Sequence, residues 1–484
     1  MNAPIRKLGM LIAFLFTTLL VSTTIIQGFQ AKSINARPDN RRTLLSTYSA
    51  DRGAILVNST PIAVSEETDN QYQRIRRYPE GPTYAAVTGY FSFLFGAGGG
   101  LERAENPLLN GRSDRLFYRR LSDVFAGQRP SGANIETTIV PAAQRAAVQG
   151  LGTNRGAAIA LDPRTGAILA MATSPTYDPN VLASHDMAAV EEAWKQLNAD
   201  TSKPMLNRAL AETYPPGSTF KLVTAAAALS TDDYDMESEL DAPRVLDLPQ
   251  TSVDLPNFGG RECDPSGKQT MIEALRISCN TAFASLGLDL GEDVLRNQAA
   301  RFGIGDALRV PMTVARSSFP DELDPPSLAQ SAIGQRDVRM TPLQVAMVSA
   351  AIANRGIVMQ PFLVRTVLGN DLSVIEETQP QQLSEAVTPD VASQLSLMMQ
   401  RVVESGTGQP AQIPGVAVAG KTGTAEVGGD ARGHAWFTGF APAGDPQVAV
   451  AVIIENQGDN QSVSGGGRVA GPIAKAIMEA VLGS

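Results

Sequence analysis

A serine and a lysine spaced three residues apart, Ser218 and Lys221, are the first candidates for chemistry in this sequence. They lie in YPPGSTFKLVTAAAAL, residues 214–229, where the lysine is the only charged side chain. The prolines and glycine predict a loop, and the apolar run after them predicts a buried helix. Residues i and i+3 share a helix face, and burial lowers the pKa of a lysine, so the pair resembles a nucleophile with its base. The alternative is a serine that caps the helix and a lysine whose amine reaches solvent.

Two later strings change the balance between these interpretations. SCN, residues 278–280, follows the helical pattern MIEALRI and is expected at a helix end or in a short loop. KTGT, residues 421–424, opens a predicted strand. The order S-x-x-K, S-x-N, K-T-G is the signature of penicillin-binding proteins and class A β-lactamases. Each string alone is a weak signal, but the three in this order favour catalysis by Ser218.

The similarity extends along nearly the whole chain, which resembles the class B penicillin-binding proteins. It includes DRGAI (residues 51–55), GANIETTIVPAAQ (132–144) and SAIGQRDVRMTPLQVA (331–346). The resemblance implies an α+β fold of the penicillin-binding and serine β-lactamase type, with helices on both sides of an antiparallel sheet. This transpeptidase domain would follow a membrane anchor and a small mixed α/β domain of the dimerisation or pedestal type.

Four residues are expected to carry out the reaction. Attack on an amide carbonyl needs a deprotonated hydroxyl, so Ser218 is expected to be the nucleophile and Lys221 its base. Ser278 would pass the proton to the departing amine, and Asn280 would hold a substrate amide. Fixed N–H donors for the developing oxyanion could come from the backbone at Ser218 and Thr424.

The third string is expected to bind substrate. Lys421 adds positive charge, and the hydroxyls of Thr422 and Thr424 suit a terminal carboxylate. Gly423 lacks a side chain, which would allow the substrate backbone to pair closely with the strand.

The family resemblance implies a D,D-transpeptidase that cross-links peptidoglycan stem peptides ending in D-Ala-D-Ala and that β-lactams acylate. It implies no cofactor and no metal, a polytopic glycan polymerase as a possible partner, and a role in cell division and shape. Two alternatives remain open. One is hydrolysis at the same site, as in a D,D-carboxypeptidase or a β-lactamase. The other is a penicillin-binding scaffold that acylates without turnover.

Charge and hydropathy bear on compartment and partners. Residues 1–130 hold 16 basic and 10 acidic side chains, a net charge of +6, so the rest of the chain carries −15 of the total of −9. This acidic bulk argues against nucleic acid as a partner. Two histidines and two cysteines make no metal-site pattern. The uncharged stretch 8–26 predicts one transmembrane helix, with residues 1–7 in the cytoplasm and the catalytic part outside. The alternative is a cleaved signal peptide, but no A-x-A-like cleavage site follows the stretch.

The remaining patterns predict two further units, an N-terminal domain over residues 31–150 and a transpeptidase domain over 151–484. In the first, residues 50–65 predict a hairpin around Asn-Ser-Thr. The basic strings RRTLLS (41–46) and YQRIRRYP (72–79) favour a solvated face, with contact to acidic lipid head groups as the alternative. In the second, a hairpin at 156–175 and late strands at 421–427, 435–442 and 447–456 are expected to share one antiparallel sheet.

The two cysteines, Cys263 and Cys279, are predicted to form a disulfide. The prediction rests on an oxidising compartment, on the absence of other cysteines and on the short loop between the two. The alternative is a pair of reduced, buried thiols.

Overall fold

The computed structural model describes residues 2–30, 33–34, 48, 51–117, 119, 125, 131–425, 433–458 and 465–483. Eleven of its strands form the two large sheets and are numbered here in chain order. They are β1 Ile55–Val57, β2 Thr60–Glu67, β3 Arg74–Arg77, β4 Asn134–Thr137, β5 Gly156–Leu161, β6 Ile168–Ser174, β7 Val364–Leu368, β8 Val374–Glu377, β9 Ala419–Ala425, β10 Gly433–Ala441 and β11 Val448–Gly458.

The α-helices of the described residues are concentrated between β6 and β9. Their bounds are Asn2–Thr24, Gly81–Thr88, Gly100–Ala104, Asn106–Leu109, Pro141–Leu151, Asn180–Ala183, Met187–Ala199, Arg208–Ala211, Lys221–Leu229, Met271–Ile277, Asn280–Leu290, Glu292–Arg301, Pro325–Ala332, Pro342–Ala353, Pro389–Ser405 and Gly465–Leu482.

One of the two large sheets, the C-terminal sheet, joins the first and last strands of the C-terminal region. This confirms the predicted antiparallel arrangement. Its order is β9-β10-β11-β5-β6, and every neighbouring pair is antiparallel. The strand predicted to open at Lys421 begins two residues earlier, at Ala419, and Val427 at its predicted end lies outside the described residues. Strands from the two ends of the C-terminal region thus meet in one sheet, and the third motif lies on its edge strand, β9.

Helices cover both faces of this sheet, as the α+β prediction requires. Side chains alternate between the faces of a strand, so Ala158 and Val450 pack on one side while Ile159 and Ala451 pack on the other. The helices Pro141–Leu151 and Gly465–Leu482 contact the first face, and Pro342–Ala353 contacts the second. Both faces are therefore buried, and the sheet forms a rigid support for the edge strand β9.

The N-terminal sheet is formed by residues from both predicted domains. Its order is β8-β7-β4-β1-β2-β3, so Val364–Leu368 and Val374–Glu377 add two strands to it from the middle of the C-terminal region. The predicted hairpin is confirmed: β1 pairs with β2, and Asn58 and Ser59 adopt left-handed φ angles of 48° and 61°. Two left-handed turn residues match the natural twist of paired strands.

A buried ionic cluster holds this sheet to the helix Gly100–Ala104. Both oxygens of Glu102 are engaged, by Arg52 at 2.6–2.7 Å and by Arg76 at 2.6 Å, and the Tyr78 hydroxyl donates to it at 3.1 Å. Burial alone would raise the pKa of the Glu102 carboxyl, but the two arginines bring it below its usual value. The expectation of a solvated face is wrong for Arg76, which is 4% exposed. RRTLLS lies outside the described residues.

One helix of the described residues, Ala3–Gln30, is long and apolar enough to cross a membrane. Its first part is α-helical over Asn2–Thr24, and it continues as a π-helix over Ile25–Gln30. It contains the predicted span 8–26 and has no buried residues, consistent with a single-pass membrane anchor.

Candidate active site

Ser218 lies in a single 3₁₀ turn, Gly217–Thr219, immediately before the helix Lys221–Leu229. The residues that precede the turn and the helix are Pro216 and Phe220, and neither helical start receives a side-chain cap. The alternative in which Ser218 serves as a helix cap is therefore wrong. Gly217 has a left-handed φ of 53° and its N–H donates to Gly334 O at 2.9 Å, which fixes the backbone on which Ser218 sits.

Lys221 is fully buried, so its amine does not reach solvent as the alternative reading required. Its Nζ donates to Ser278 O at 2.8 Å and to Asn280 Oδ1 at 2.7 Å, and it lies 3.4 Å from Ser278 Oγ. Burial, and secondarily the charge of Lys421, lowers the pKa of Lys221 well below its usual value. Because both carbonyl oxygens can only accept, they take two amine hydrogens and leave the lone pair of a neutral Lys221 available.

Ser278 occupies the junction between the helices Met271–Ile277 and Asn280–Leu290, as the sequence predicts. Its backbone is left-handed, with φ at 63°, which turns the chain between the two helices. Lys421 Nζ donates to Ser278 Oγ at 2.8 Å and to Thr422 O at 2.9 Å. The Ser278 hydroxyl therefore accepts from one lysine and keeps its own hydrogen to donate.

Lys421 resembles Lys221 in its surroundings. It is 0% exposed, and burial lowers its pKa to about 7. Among the described residues no carboxylate lies within ion-pair distance of either lysine. The site thus contains two buried amines whose charge is not compensated by an acid.

The edge strand β9 brings the third motif against Ser218. Six predicted site residues line one small cavity of about 30 Å³ together with Phe258, Ile333 and Gln335. The six are Ser218, Ser278, Asn280, Thr422, Gly423 and Thr424. Lys221 and Lys421 lie behind this wall, in contact with Ser278.

The lack of a side chain at Gly423 also matters for packing within the protein. A Cβ atom there would lie 3.0 Å from Pro216 O, 3.0 Å from Thr219 Cγ2 and 3.1 Å from the Trp436 Cβ. These are the protein's own atoms, so the missing side chain lets β9 approach the turn that carries Ser218.

Asn257 is a positioning residue that the sequence analysis missed. Its side chain is buried, and Oδ1 accepts from Asn280 N at 2.9 Å, Thr281 N at 3.0 Å and Thr281 Oγ1 at 3.2 Å. It therefore caps the helix that begins at Asn280 from a distant loop, and no local pattern in the sequence indicates this pairing. The same loop carries Cys263, which the structure joins to Cys279 with a Cα–Cα distance of 5.9 Å.

Comparison with known protein families matches two parts of the chain. Residues 156–479 match the penicillin binding protein transpeptidase domain. Residues 52–135 match the penicillin binding protein A dimerisation domain.

Individual proteins resemble the chain along its length. Peptidoglycan D,D-transpeptidase PbpA of Mycolicibacterium smegmatis is 46% identical over 491 residues, covering 100% of this chain and 99% of that protein. PbpA of Mycobacterium tuberculosis is 43% identical over the same shares. The structure of penicillin-binding protein A from M. tuberculosis as a ceftriaxone acyl-enzyme complex superposes with a TM-score of 0.86 at 43% identity. That match covers 90% of this chain and 100% of the other.

Proposed function

Because this chain belongs to the penicillin-binding protein transpeptidases and is a peptidoglycan D,D-transpeptidase, we propose that Ser218 is the residue it acylates and Lys221 the base. The observation that carries the proposal is the surroundings of Lys221. Two carbonyl oxygens at 2.7–2.8 Å hold the amine, and burial favours its neutral form. A neutral amine held this way keeps its lone pair free to take a proton from a hydroxyl of the site.

Acylation then follows from the donors and acceptors of the cavity. Ser218 Oγ attacks the carbonyl of the D-Ala-D-Ala bond while Lys221 takes its proton. Backbone N–H groups at Ser218 and Thr424 stabilise the oxyanion. Ser278, which accepts from Lys421, donates its hydrogen to the departing amine nitrogen and takes in exchange the proton that Lys221 removed from Ser218. The product is an acyl ester on Ser218 and a free D-alanine.

The other motif residues position the peptide. Asn280 Oδ1 is occupied by Lys221, so the amide nitrogen of Asn280 remains to donate to a substrate carbonyl. Lys421, Thr422 and Thr424 form the end of the cavity that suits the terminal carboxylate. A β-lactam carries a carboxylate and a strained amide in place of these groups and acylates the same serine.

The arrangement in the cell follows from the anchor. Residues 1–7 lie in the cytoplasm, 8–26 span the membrane, and the domains 31–150 and 151–484 lie outside, where the peptidoglycan substrate is built. The N-terminal domain then serves as a pedestal, to which β7 and β8 of the catalytic domain add two strands. A polytopic glycan polymerase is the partner class that this pedestal would meet, in cell division.

Labelling of the full-length protein by a fluorescent penicillin tests this proposal. The wild type is expected to form a covalent adduct that survives denaturation, and Ser218→Ala is expected to form none. Ser230→Ala, which alters a serine at the far end of the same helix, should label like the wild type. Persistent labelling of folded Ser218→Ala would overturn the assignment of the nucleophile.

A further inference from the structure

A second, larger cavity lies directly beside the proposed active site. It has a volume of about 420 Å³ and is formed by three segments, residues 257–263, 276–279 and 405–407. Phe258 and Ser278 line both this cavity and the small one at Ser218. The two spaces are therefore direct neighbours that share part of their lining.

The larger cavity lies on the side of the site that suits the terminal carboxylate. Thr407, one of its lining residues, shares a hydrogen bond of 2.6 Å between its Oγ1 and Thr422 Oγ1. Ser278, another, is bonded to Lys421. In the proposed reaction the acyl part of the donor remains on Ser218, and the terminal D-alanine leaves toward this carboxylate end. The cavity thus continues from the place that the leaving group vacates.

We propose that this larger cavity binds the acceptor, a second stem-peptide strand whose amine attacks the acyl ester on Ser218. The inference rests on the proposed function and names the ligand of its second step. A released D-alanine is a single residue, whereas cavities of ~300–1,000 Å³ accommodate ligands of drug size. The acceptor amine that replaces the leaving nitrogen is part of a peptide chain, and the cavity is large enough to bind that chain.

Two arginines, Arg261 and Arg276, line the cavity beside one carboxylate, Glu262, and offer binding groups for a peptide that bears free carboxylates. Arg276 is held in place by Glu273 Oε2 at 2.7 Å and by Ser405 O at 3.0 Å, so its guanidinium is fixed at the wall. Arg261 is exposed at the rim and makes no ion pair with another described residue. A guanidinium in this position can bind a carboxylate of the incoming strand through charge-assisted hydrogen bonds.

The lining that the two cavities share is preorganised. Asn257 caps the helix at Asn280, and the Cys263–Cys279 disulfide ties the same loop to the second motif. Residues 257–263 therefore keep their place without a ligand, which lowers the entropic cost of binding a flexible strand.

The transfer step balances without any further reactant. The acceptor nitrogen forms an amide bond with the acyl carbon, and the ester bond to Ser218 Oγ breaks. One amine proton passes through the lysine and serine groups of the site to Ser218, which regains its hydroxyl.

Two acceptors of different length test the proposal on the full-length protein in detergent micelles. A thioester analogue of the donor peptide acylates the enzyme, and transfer is measured to D-alanine and to a stem tripeptide with a free side-chain amine and C-terminal carboxylate. The readout is the ratio of KM for the tripeptide to KM for D-alanine, because D-alanine needs no space beyond the carboxylate end.

Arg261→Glu is expected to raise this ratio about five-fold, as expected for the loss and reversal of one partly solvated charge. Ser405→Trp, which fills the cavity from an exposed helix end, should raise it by about ten-fold or more. Arg244→Glu makes the same charge change at an exposed position outside the cavity and should leave the ratio unchanged.

A tripeptide KM unaffected by Ser405→Trp, or equal changes for both acceptors, would overturn the acceptor assignment. Failure of the proposed function is distinguishable, because it would appear as wild-type protein that does not form the acyl ester from the thioester or from penicillin.

Discussion

The protein buries two pairs of basic side chains that differ in whether a carboxylate contacts them. In the N-terminal region, Arg52 and Arg76 share the carboxylate of Glu102. In the C-terminal region, Lys221 and Lys421 converge on Ser278, and no described carboxylate contacts either amine. Burial costs a charged group several kcal/mol unless that group is paired or loses its charge. The first pair is compensated by an anion, and the second can give up protons.

The residue types explain this difference. A guanidinium keeps its proton in proteins, so Arg52 and Arg76 can only be compensated by an acid, and they hold a sheet to a helix. An ammonium loses its proton when burial is costly, and burial lowers the pKa of Lys421 to about 7. Pairing with a carboxylate would return the proton to the lysines and remove the base. In the proposed mechanism, the lack of a carboxylate beside these amines among the described residues is therefore what keeps the base available.

The largest effect is expected from making the second pair resemble the first. Lys221→Arg should lower the acylation rate with penicillin by about 10²- to 10⁴-fold, as much as Lys221→Ala, because a guanidinium cannot act as a base. Stopped-flow acylation of variants shown to be folded by thermal melting gives the comparison. A folded Lys221→Arg variant within about ten-fold of the wild type would show that only the charge matters.

The converse change removes the anion of the N-terminal cluster. Glu102→Gln should lower the free energy of unfolding by about 3–5 kcal/mol at neutral pH, because two buried guanidiniums lose their counter-ion. Since the pKa of Glu102 is lowered on folding, its contribution is complete above the usual carboxyl pKa of ~4.3 and is lost as pH falls through the lower folded value.

Urea unfolding of both proteins at neutral and acid pH measures this effect. Glu66→Gln breaks an exposed pair with Arg77 on the same sheet and should change little. Equal effects of Glu102→Gln and Glu66→Gln would contradict the structural role of the cluster.

The disulfide should stabilise the C-terminal region that contains the lysine pair, and not the N-terminal ionic cluster. Thiol counting on denatured, unreduced protein is expected to find no free thiol. Reduction should cost about 3 kcal/mol of stability, since the bridge closes a loop of 16 residues. A variant with both cysteines replaced by serine should be insensitive to the reductant. Two free thiols in the unreduced wild type would rule the bridge out.

The smallest expected loss of stability comes from removing the hydroxyl of Tyr78, which belongs to the N-terminal ionic cluster. Tyr78→Phe removes one hydroxyl that donates to Glu102 but leaves both arginines in place. The expected loss is about 1.5 kcal/mol, typical of a hydrogen bond to a charged group. A loss as large as that of Glu102→Gln, measured by the same urea unfolding, would mean that packing and not charge holds the cluster.

The sequence predicts features that depend on neighbours in the chain. Asn58 and Ser59 form the expected turn because both tolerate left-handed backbone in a hairpin. The buried Lys221 follows from the apolar run around it. The order of the motifs and the family resemblance together predict that Ser278 and the residues of β9 lie near Ser218.

Features that depend on distant segments could not be predicted in this way. Arg76 looks like a surface residue until Glu102 is placed beside it by the packing of a separate helix. Nothing near Asn257 indicates that it caps a helix beginning at Asn280. Likewise, the strands at 364–377 complete the N-terminal sheet through pairing with β4, which lies more than 200 residues earlier.

The pH dependence of acylation tests the central claim most directly, because it reports the protonation of the uncompensated lysines. The second-order rate constant for penicillin G would be measured on wild-type protein from about pH 5 to 10. The account predicts a rate that falls on the acid side and is level above an apparent pKa well below 10.5, shared by the Lys221 and Lys421 pair. A rate that keeps rising until about pH 10, as for an ordinary lysine, would contradict it.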